Sequence, residues 1–247
     1  MIKPELLAIT NELFAIGGNH NIPKLIAVRN KLLEFIKINE YFLTEGGELD
    51  ENFIIAKDTI RLIDASNIYA NTNNSRDAYH QMKPFFERVK RDFTELNYYD
   101  IELIVCSIEY TKSAEEAHEI ATKALKKLVD FRDSRNTNML EGALAVNVCA
   151  CLLRAKYSNY DSEIDLTETF DTWFSRLERL VEKAKRLEYP FLLTQVRQAI
   201  FYKNQEQINA CYEQLKASCD EDIISLISNE IEFYINAESY TNLKGEV

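Results

Sequence analysis

Helical periodicity runs through almost the whole sequence, and the strict alternation of apolar and polar residues that marks a strand is nearly absent. Apolar residues recur at three- and four-residue steps, most clearly in the segments 23–36 and 166–184. The chain has only 6 glycines and 4 prolines, and three of the prolines stand where a helix can begin. These features predict an all-α fold.

Start and stop signals divide the periodic pattern into about eleven helices. Glycine pairs at 17–18 and 46–47 suit the left-handed conformation that follows a helix end. Ser113 and Glu116, three residues apart, form the pattern of a capping box. A helix is therefore expected to open at Ser113.

Three further elements follow from single residues. The segment from about Asn138 to Tyr157 is apolar nearly all round apart from Asn147, so we expect it to be the central helix. Pro84 should kink the helix that Ser75 caps, or delay its start. Asn204 is expected to cap the tenth helix.

Helices of roughly 13 to 22 residues joined by short loops are typical of antiparallel helix pairs that stack side by side. We therefore predict a tetratricopeptide-like right-handed superhelix of about eleven antiparallel helices. No strict 34-residue consensus is visible, so the repeats are degenerate. A single helical-repeat domain is expected over 1–247, with a polar tail at about 238–247.

Charge and cysteine usage restrict the class of protein. The net charge of −11 repels phosphate backbones, so the chain is not expected to bind DNA by itself. The five cysteines are odd in number and lie in apolar helical patterns, which is typical of reduced core thiols in the cytoplasm. The sequence shows neither a signal-peptide pattern nor an uninterrupted apolar run of the roughly 18 to 20 residues that cross a bilayer. A cytoplasmic protein without a membrane segment is predicted.

Catalytic motifs are missing, and we predict no enzyme, no cofactor and no metal. There are only three histidines, no G-x-S-x-G motif and no phosphate-binding loop. Asp77 with His80 and Glu115 with His118 have the three-residue spacing of helical di-metal sites. These acidic residues lie in first helical turns, where they complement the helix dipole. A helical metalloenzyme remains the less favoured alternative.

Polar side chains inside apolar stretches are the candidate site residues. Asn147 and Arg154 lie seven residues apart and so share one edge of the central helix. Arg197 and Tyr202 are likewise polar side chains within an apolar stretch, in the next helix pair, and Tyr99 is a further aromatic candidate. An amide together with guanidinium groups can hold a peptide backbone and its carboxylate. The structural alternative is that the amide bridges two helices and the arginines pair with acidic neighbours.

Three segments give the chain a family resemblance. They are the aromatic-acidic stretch Asn97-Tyr98-Tyr99-Asp100-Ile101-Glu102-Leu103, the helix sequence Ala143-Leu144-Ala145-Val146-Asn147-Val148-Cys149, and the junction Phe201-Tyr202-Lys203-Asn204-Gln205-Glu206-Gln207-Ile208. In helix order and pattern the chain resembles the C-terminal regulatory domain of Rgg/GadR/MutR-type bacterial transcriptional regulators. The resemblance implies a tetratricopeptide-like domain that binds a short signalling peptide and dimerises.

The sequence departs from that family because no helix-turn-helix is recognisable ahead of the helical array. DNA contact is therefore expected only through a helix-turn-helix domain that this sequence does not contain, or the chain is a stand-alone sensor. The first hypothesis is a peptide-sensing, homodimeric domain of a transcriptional regulator of the quorum-sensing kind. The alternative is a general helical-repeat adaptor that docks an extended segment of a partner protein.

Overall fold

The computed structural model describes residues 2–16, 21–39, 50–72, 75–133, 136–158 and 163–218, together with 224, 228 and 231–234. Every regular element in these ranges is helical, which confirms the all-α prediction. The glycine pairs at 17–18 and 46–47, Cys219 and the polar tail at about 238–247 lie outside the described residues.

The described part of the chain forms ten α-helices with complete bounds, and further helical residues lie at 224, 228 and 231–234, after the last of these. The ten are α1 (Pro4–Ile16), α2 (Ile22–Ile38), α3 (Glu51–Thr72), α4 (Ser75–Arg91), α5 (Tyr98–Ser107), α6 (Ala114–Leu128), α7 (Asn138–Tyr157), α8 (Leu166–Val181), α9 (Glu188–Phe201) and α10 (Gln205–Ser218). Short 3-10 turns lie at Phe93–Glu95, Ile108–Tyr110, Val129–Phe131 and Lys185–Leu187.

The chain divides into two compact units. Unit 1 comprises Met1–Lys112 and Glu119–Phe131, and unit 2 comprises Ser113–His118 and Arg132–Val247. That residues 1–247 form one cooperative domain stays a prediction.

Unit 1 is built on α3, which packs against α2, α4 and α5, while α1 packs against α2. The helix α4 begins at Ser75 and contains Pro84 in its interior, so Pro84 does not delay its start, and a kink at Pro84 stays a prediction. Pro84 removes one backbone donor, but the buried apolar face on both sides of it keeps the helix in place. That face consists of Ala78, Met82, Phe85, Phe86 and Val89.

A buried ionic cluster joins three helices of unit 1. The guanidinium of Arg88 on α4 donates to Asp58 Oδ2 on α3 at 2.8 Å and to Asp100 Oδ1 on α5 at 2.6 Å. Both aspartates are only 1% exposed. Asp100 also completes a capping box with Asn97, so one carboxylate both starts α5 and anchors it to α4.

In unit 2, α7 packs against α8 and α9, and α9 packs against α10. The predicted central helix has the predicted bounds, Asn138–Tyr157. Gly142 allows the 3-10 turn Lys185–Leu187 to come close, because a Cβ at this position would lie 2.6 Å from a methyl carbon of Leu187. The core around α8 is aromatic, with Phe170 stacked on Phe201 at 4.4 Å.

Side-chain caps account for two of the helix starts that sequence alone predicted. Asn204 Oδ1 accepts from the backbone N–H of Gln207 at 3.1 Å, which confirms the predicted cap of α10. Ser113 Oγ accepts from the N–H of Glu116 at 3.3 Å, as one of the two bonds of a capping box does.

Candidate functional site

Four of the five predicted site residues lie on α7 and α9 of unit 2 or directly after α9. The two helices lie side by side and run in the same direction. Near the middle of α7, burial raises the pKa of the Cys149 thiol and the charge of Arg197 on α9 partly opposes the rise. At the end of α7, the Tyr157 hydroxyl donates to the Ile200 carbonyl at 3.1 Å. The order of the contacts along both helices is therefore the same.

Two of the predicted residues lie on one side of α7. Asn147 precedes Cys149 by two residues, so it points about 200° away from it around the helix. Arg154 follows Asn147 by seven residues and shares its side, as the spacing on one helix requires. Arg197 on the neighbouring helix α9 is close enough to Cys149 for its charge to act on that thiol.

Asn147, Arg154 and Arg197 are each half-buried. Asn147 therefore lies at the edge of the unit 2 core, although its apolar sequence neighbours suggest a position well inside it. A polar side chain at such an edge can form a hydrogen bond with a buried group and still be accessible to a ligand from solvent.

Tyr202, the residue that follows α9, is the most exposed of the five, at 42%. Its hydroxyl donates to Asp171 Oδ1 on α8 at 2.6 Å. Loss of surrounding water and this bond to a carboxylate raise the pKa of Tyr202 to about 12. Asp171 also lines a polar groove of about 600 Å³ along the outer side of α8, with Asp165, Glu168 and Arg179.

Tyr99 belongs to unit 1 and lies in its core. Its side chain is only 6% exposed, and the ring of Tyr98 meets it edge-on at 6.4 Å. It is thus placed in a different unit from the other four. A separate groove of about 630 Å³ in unit 1 lies between α1 and α2, lined by Lys3, Glu5, Ile9, Lys31, Glu34, Phe35, Ile38 and Asn39, and contains no predicted site residue.

Lys156, near the end of α7, is a residue that the sequence analysis missed. Its Nζ lies 3.8 Å from the ring centroid of Phe201 and 5.7 Å from that of Tyr202. Partial burial lowers the pKa of Lys156, and the nearby charge of Lys203 lowers it further. Lys203 itself has φ 57°, which is left-handed backbone. The sequence gives no sign of this cluster, because 45 residues separate Lys156 from Phe201.

His118 and Glu115, one half of the predicted di-metal pattern, both make contacts of another kind. His118 Nδ1 accepts a hydrogen bond from Trp173 Nε1 at 3.1 Å. The Glu115 carboxylate accepts from the backbone N–H of Glu163 at 3.0 Å. Asp77 and His80 belong to unit 1. Within the described ranges no three His, Cys, Asp or Glu residues form a group that could hold a metal ion.

Three of the described cysteines, Cys106, Cys149 and Cys211, are poor nucleophiles because the pKa of each thiol is raised. Burial, with the charges of Glu102 and Glu109, raises the pKa of Cys106 to about 12. Burial also raises the pKa of Cys149 and of Cys211. A thiol must lose its proton to attack, so these groups are inert near neutral pH.

By length and composition, α7 is the one helix in the described ranges that could cross a membrane, and 61% of its apolar window is buried inside the protein. Such burial is also found in the core helix of a water-soluble protein. Comparison of the chain with protein-family models, with curated proteins and with solved structures gives no significant match.

Proposed function

We propose that this chain is a helical-repeat protein whose α7–α9 region binds an extended peptide and that it acts as a peptide-sensing, dimerising part of a transcriptional regulator. The observation that carries the proposal is the set of half-buried polar side chains, Asn147, Arg154 and Arg197, on two adjacent parallel helices. Amide and guanidinium groups at the edge of an apolar core are suited to bind peptide backbone and carboxylate groups.

The packing order in unit 2 supports a repeat architecture of the tetratricopeptide kind. In such repeats each helix pairs with its successor, and the first helices of successive pairs also lie side by side. Here α7 pairs with α8, α9 pairs with α10, and α7 also contacts α9. A right-handed superhelix for the whole chain is part of the proposal.

The connection with transcription comes from the resemblance to Rgg/GadR/MutR-type regulators. Because the net charge is −11, DNA would be reached through a helix-turn-helix domain or a partner protein. A peptide bound to α7 and α9 would change the equilibrium of a homodimer only if it binds one arrangement more tightly. The cytoplasm is the compartment in which such a sensor would act.

The test is a binding measurement with a library of short synthetic apolar peptides, combined with light scattering of the protein alone and with each peptide. We expect a dimer whose thermal midpoint rises with one class of peptide, because a ligand that binds only the folded form stabilises it. Asn147→Ala, Arg154→Ala and Arg197→Ala should each weaken that binding roughly tenfold or more.

The matched control is Arg186→Ala, an exposed arginine in the turn Lys185–Leu187, which should leave peptide binding unchanged. A monomer that no peptide stabilises would contradict the proposal. Binding only to long segments of folded proteins would favour the adaptor hypothesis instead.

A further inference from the structure

The ammonium group of Lys156 lies half-buried against an aromatic surface. One side of it faces the ring of Phe201 at 3.8 Å, and Phe201 is fully buried. Among the residues that the structure describes, no carboxylate forms an ion pair with Lys156, and the charge that acts on its pKa is that of Lys203. An ammonium that is partly removed from water normally pairs with a carboxylate, so the lack of such a partner within the described ranges is unusual.

A second lysine makes the local charge more positive. Lys203 is close enough for its charge to act on Lys156 and lower the pKa of that residue. It occupies the left-handed position that ends α9, with its N–H bonded to the Ile200 carbonyl at 2.9 Å. Glycine is the usual residue there because a side chain is strained in this conformation. The fold thus keeps a lysine at a position where glycine would be more stable.

The remaining donors of Lys156 determine what can bind. An ammonium has three N–H donors, and the ring of Phe201 covers only one side of the group. The exposed ring of Tyr202 lies 5.7 Å away and offers an apolar surface next to those donors. A carboxylate would pair with the ammonium of Lys156, and an apolar group attached to it would rest on the ring.

We propose that Lys156 and Lys203, with the ring of Tyr202 beside them, form a binding site for the carboxylate of an apolar acid. The acid is either the C-terminus of a peptide with an apolar last residue or a small aromatic carboxylate. The site does not depend on peptide binding by Asn147, Arg154 or Arg197, which are not among its residues.

The probe is phenylacetate, titrated into the full chain while the amide resonances of residues 155–157 and 200–204 are followed by NMR. Phenylacetamide has the same ring without the charge, and acetate has the charge without the ring. We expect saturable shifts with phenylacetate, with a dissociation constant on the order of millimolar as for other very small ligands. Both comparison molecules should bind at least tenfold more weakly.

Lys156→Gln should weaken phenylacetate binding at least tenfold, whereas Lys156→Arg should retain most of it. Lys203→Gly should weaken it several-fold, and Lys203→Arg should not. The matched control is Lys183→Gln, since Lys183 is an exposed lysine just after α8. Helical circular dichroism and the thermal midpoint establish that each variant is folded.

The proposal is overturned if phenylacetamide binds as well as phenylacetate, if Lys156→Gln binds like the parent, or if no saturable binding occurs up to about 50 mM. The peptides N-acetyl-Leu-Phe acid and N-acetyl-Leu-Phe amide then identify the source of the carboxylate. If N-acetyl-Leu-Phe acid binds much more tightly than phenylacetate, the site is assigned to a peptide C-terminus. If the two bind equally, the site is assigned to a small acid.

Discussion

The indole Nε1 of Trp173 donates a hydrogen bond to Nδ1 of His118 at 3.1 Å, and the two rings meet edge-on at 6.2 Å. Trp173 is the only tryptophan of the chain and is 2% exposed. Because Nδ1 accepts, the proton of the neutral imidazole is on Nε2. The imidazolium has no acceptor nitrogen, so protonation of His118 breaks this bond.

We expect tryptophan emission to report the titration of His118. Burial lowers the pKa of His118 below its ordinary value of 6.5. The unfolded chain therefore binds this proton more readily, so the bond's stabilisation is complete above pH 6.5 and is lost as pH falls through the lower folded-state pKa. Fluorescence and thermal midpoint measured against pH should show a transition below pH 6.5.

The His118→Gln variant should abolish that fluorescence transition, and His80→Gln should leave it intact because His80 is exposed on α4. A transition that persists in His118→Gln would show that another group near Trp173 titrates instead.

Removal of Arg88 should destabilise unit 1 strongly. The Arg88→Met change leaves Asp100 buried without its cation, whereas Asp58 keeps its ion pair with Arg61, and breaking a buried ion pair in this way costs about 3 to 5 kcal/mol. Urea unfolding measures the loss. Arg91→Met is the control, because Arg91 is exposed and pairs with its sequence neighbour Asp92.

The double change Arg88→Met and Asp100→Asn should recover part of the lost stability, since it removes the buried negative charge that has lost its cation. If the double variant is no more stable than Arg88→Met alone, then the cost comes from lost packing around Arg88 and not from an unpaired carboxylate.

The Gly142→Ala change should destabilise unit 2 by about 1 to 3 kcal/mol through overpacking. The added methyl group would lie 2.6 and 2.7 Å from the two methyl carbons of Leu187, whose side chain is 1% exposed. This cost should exceed the gain of roughly 1 kcal/mol that alanine brings to a helix interior. Thermal or urea unfolding provides the measurement.

The same Gly142→Ala change should be much less harmful in a Leu187→Ala background, where the colliding methyl groups are gone. If Gly142→Ala lowers the free energy of unfolding equally with and without the Leu187 side chain, then the loss does not come from a collision with Leu187.

Two replacements of Lys203 should measure the backbone strain at this position, because both remove the lysine side chain and only one relieves the strain. Lys203→Gly should raise stability by about 1 kcal/mol, because glycine adopts the left-handed conformation without strain. Lys203→Ala keeps the strain and should give no such gain. Paired thermal unfolding curves check the difference, and equal stability of the two variants would show that φ 57° carries no cost here.

Local sequence signals predicted the elements of this fold well. The Asn204 cap and the apolar run of α7 are properties of a few adjacent residues, so their positions could be read directly. At Pro84 local reasoning left two alternatives, a kink or a delayed start, and the buried face of α4 on both sides of Pro84 excludes the delayed start. The cap at Asn97 was missed, although Asp100 stands three residues after it as in a capping box.

For the candidate site, the sequence predicted which side chains share a side of the same helix, but not how side chains on different helices are arranged. The spacing of Asn147 and Arg154 places them on one side of α7, since the period of a helix is constant. The sequence could not indicate on which side Arg197 lies, because that depends on how α9 packs against α7.

The sequence by itself therefore determined the helical class, most helix boundaries and the acidic surface, all of which follow from local periodicity, caps and charge. Only the tertiary structure decided which distant groups meet: Arg88 with its two aspartates, His118 with Trp173, and Lys156 with Phe201. The physical reason is that helix formation depends on residues three and four positions apart, whereas these contacts depend on the packing of whole helices.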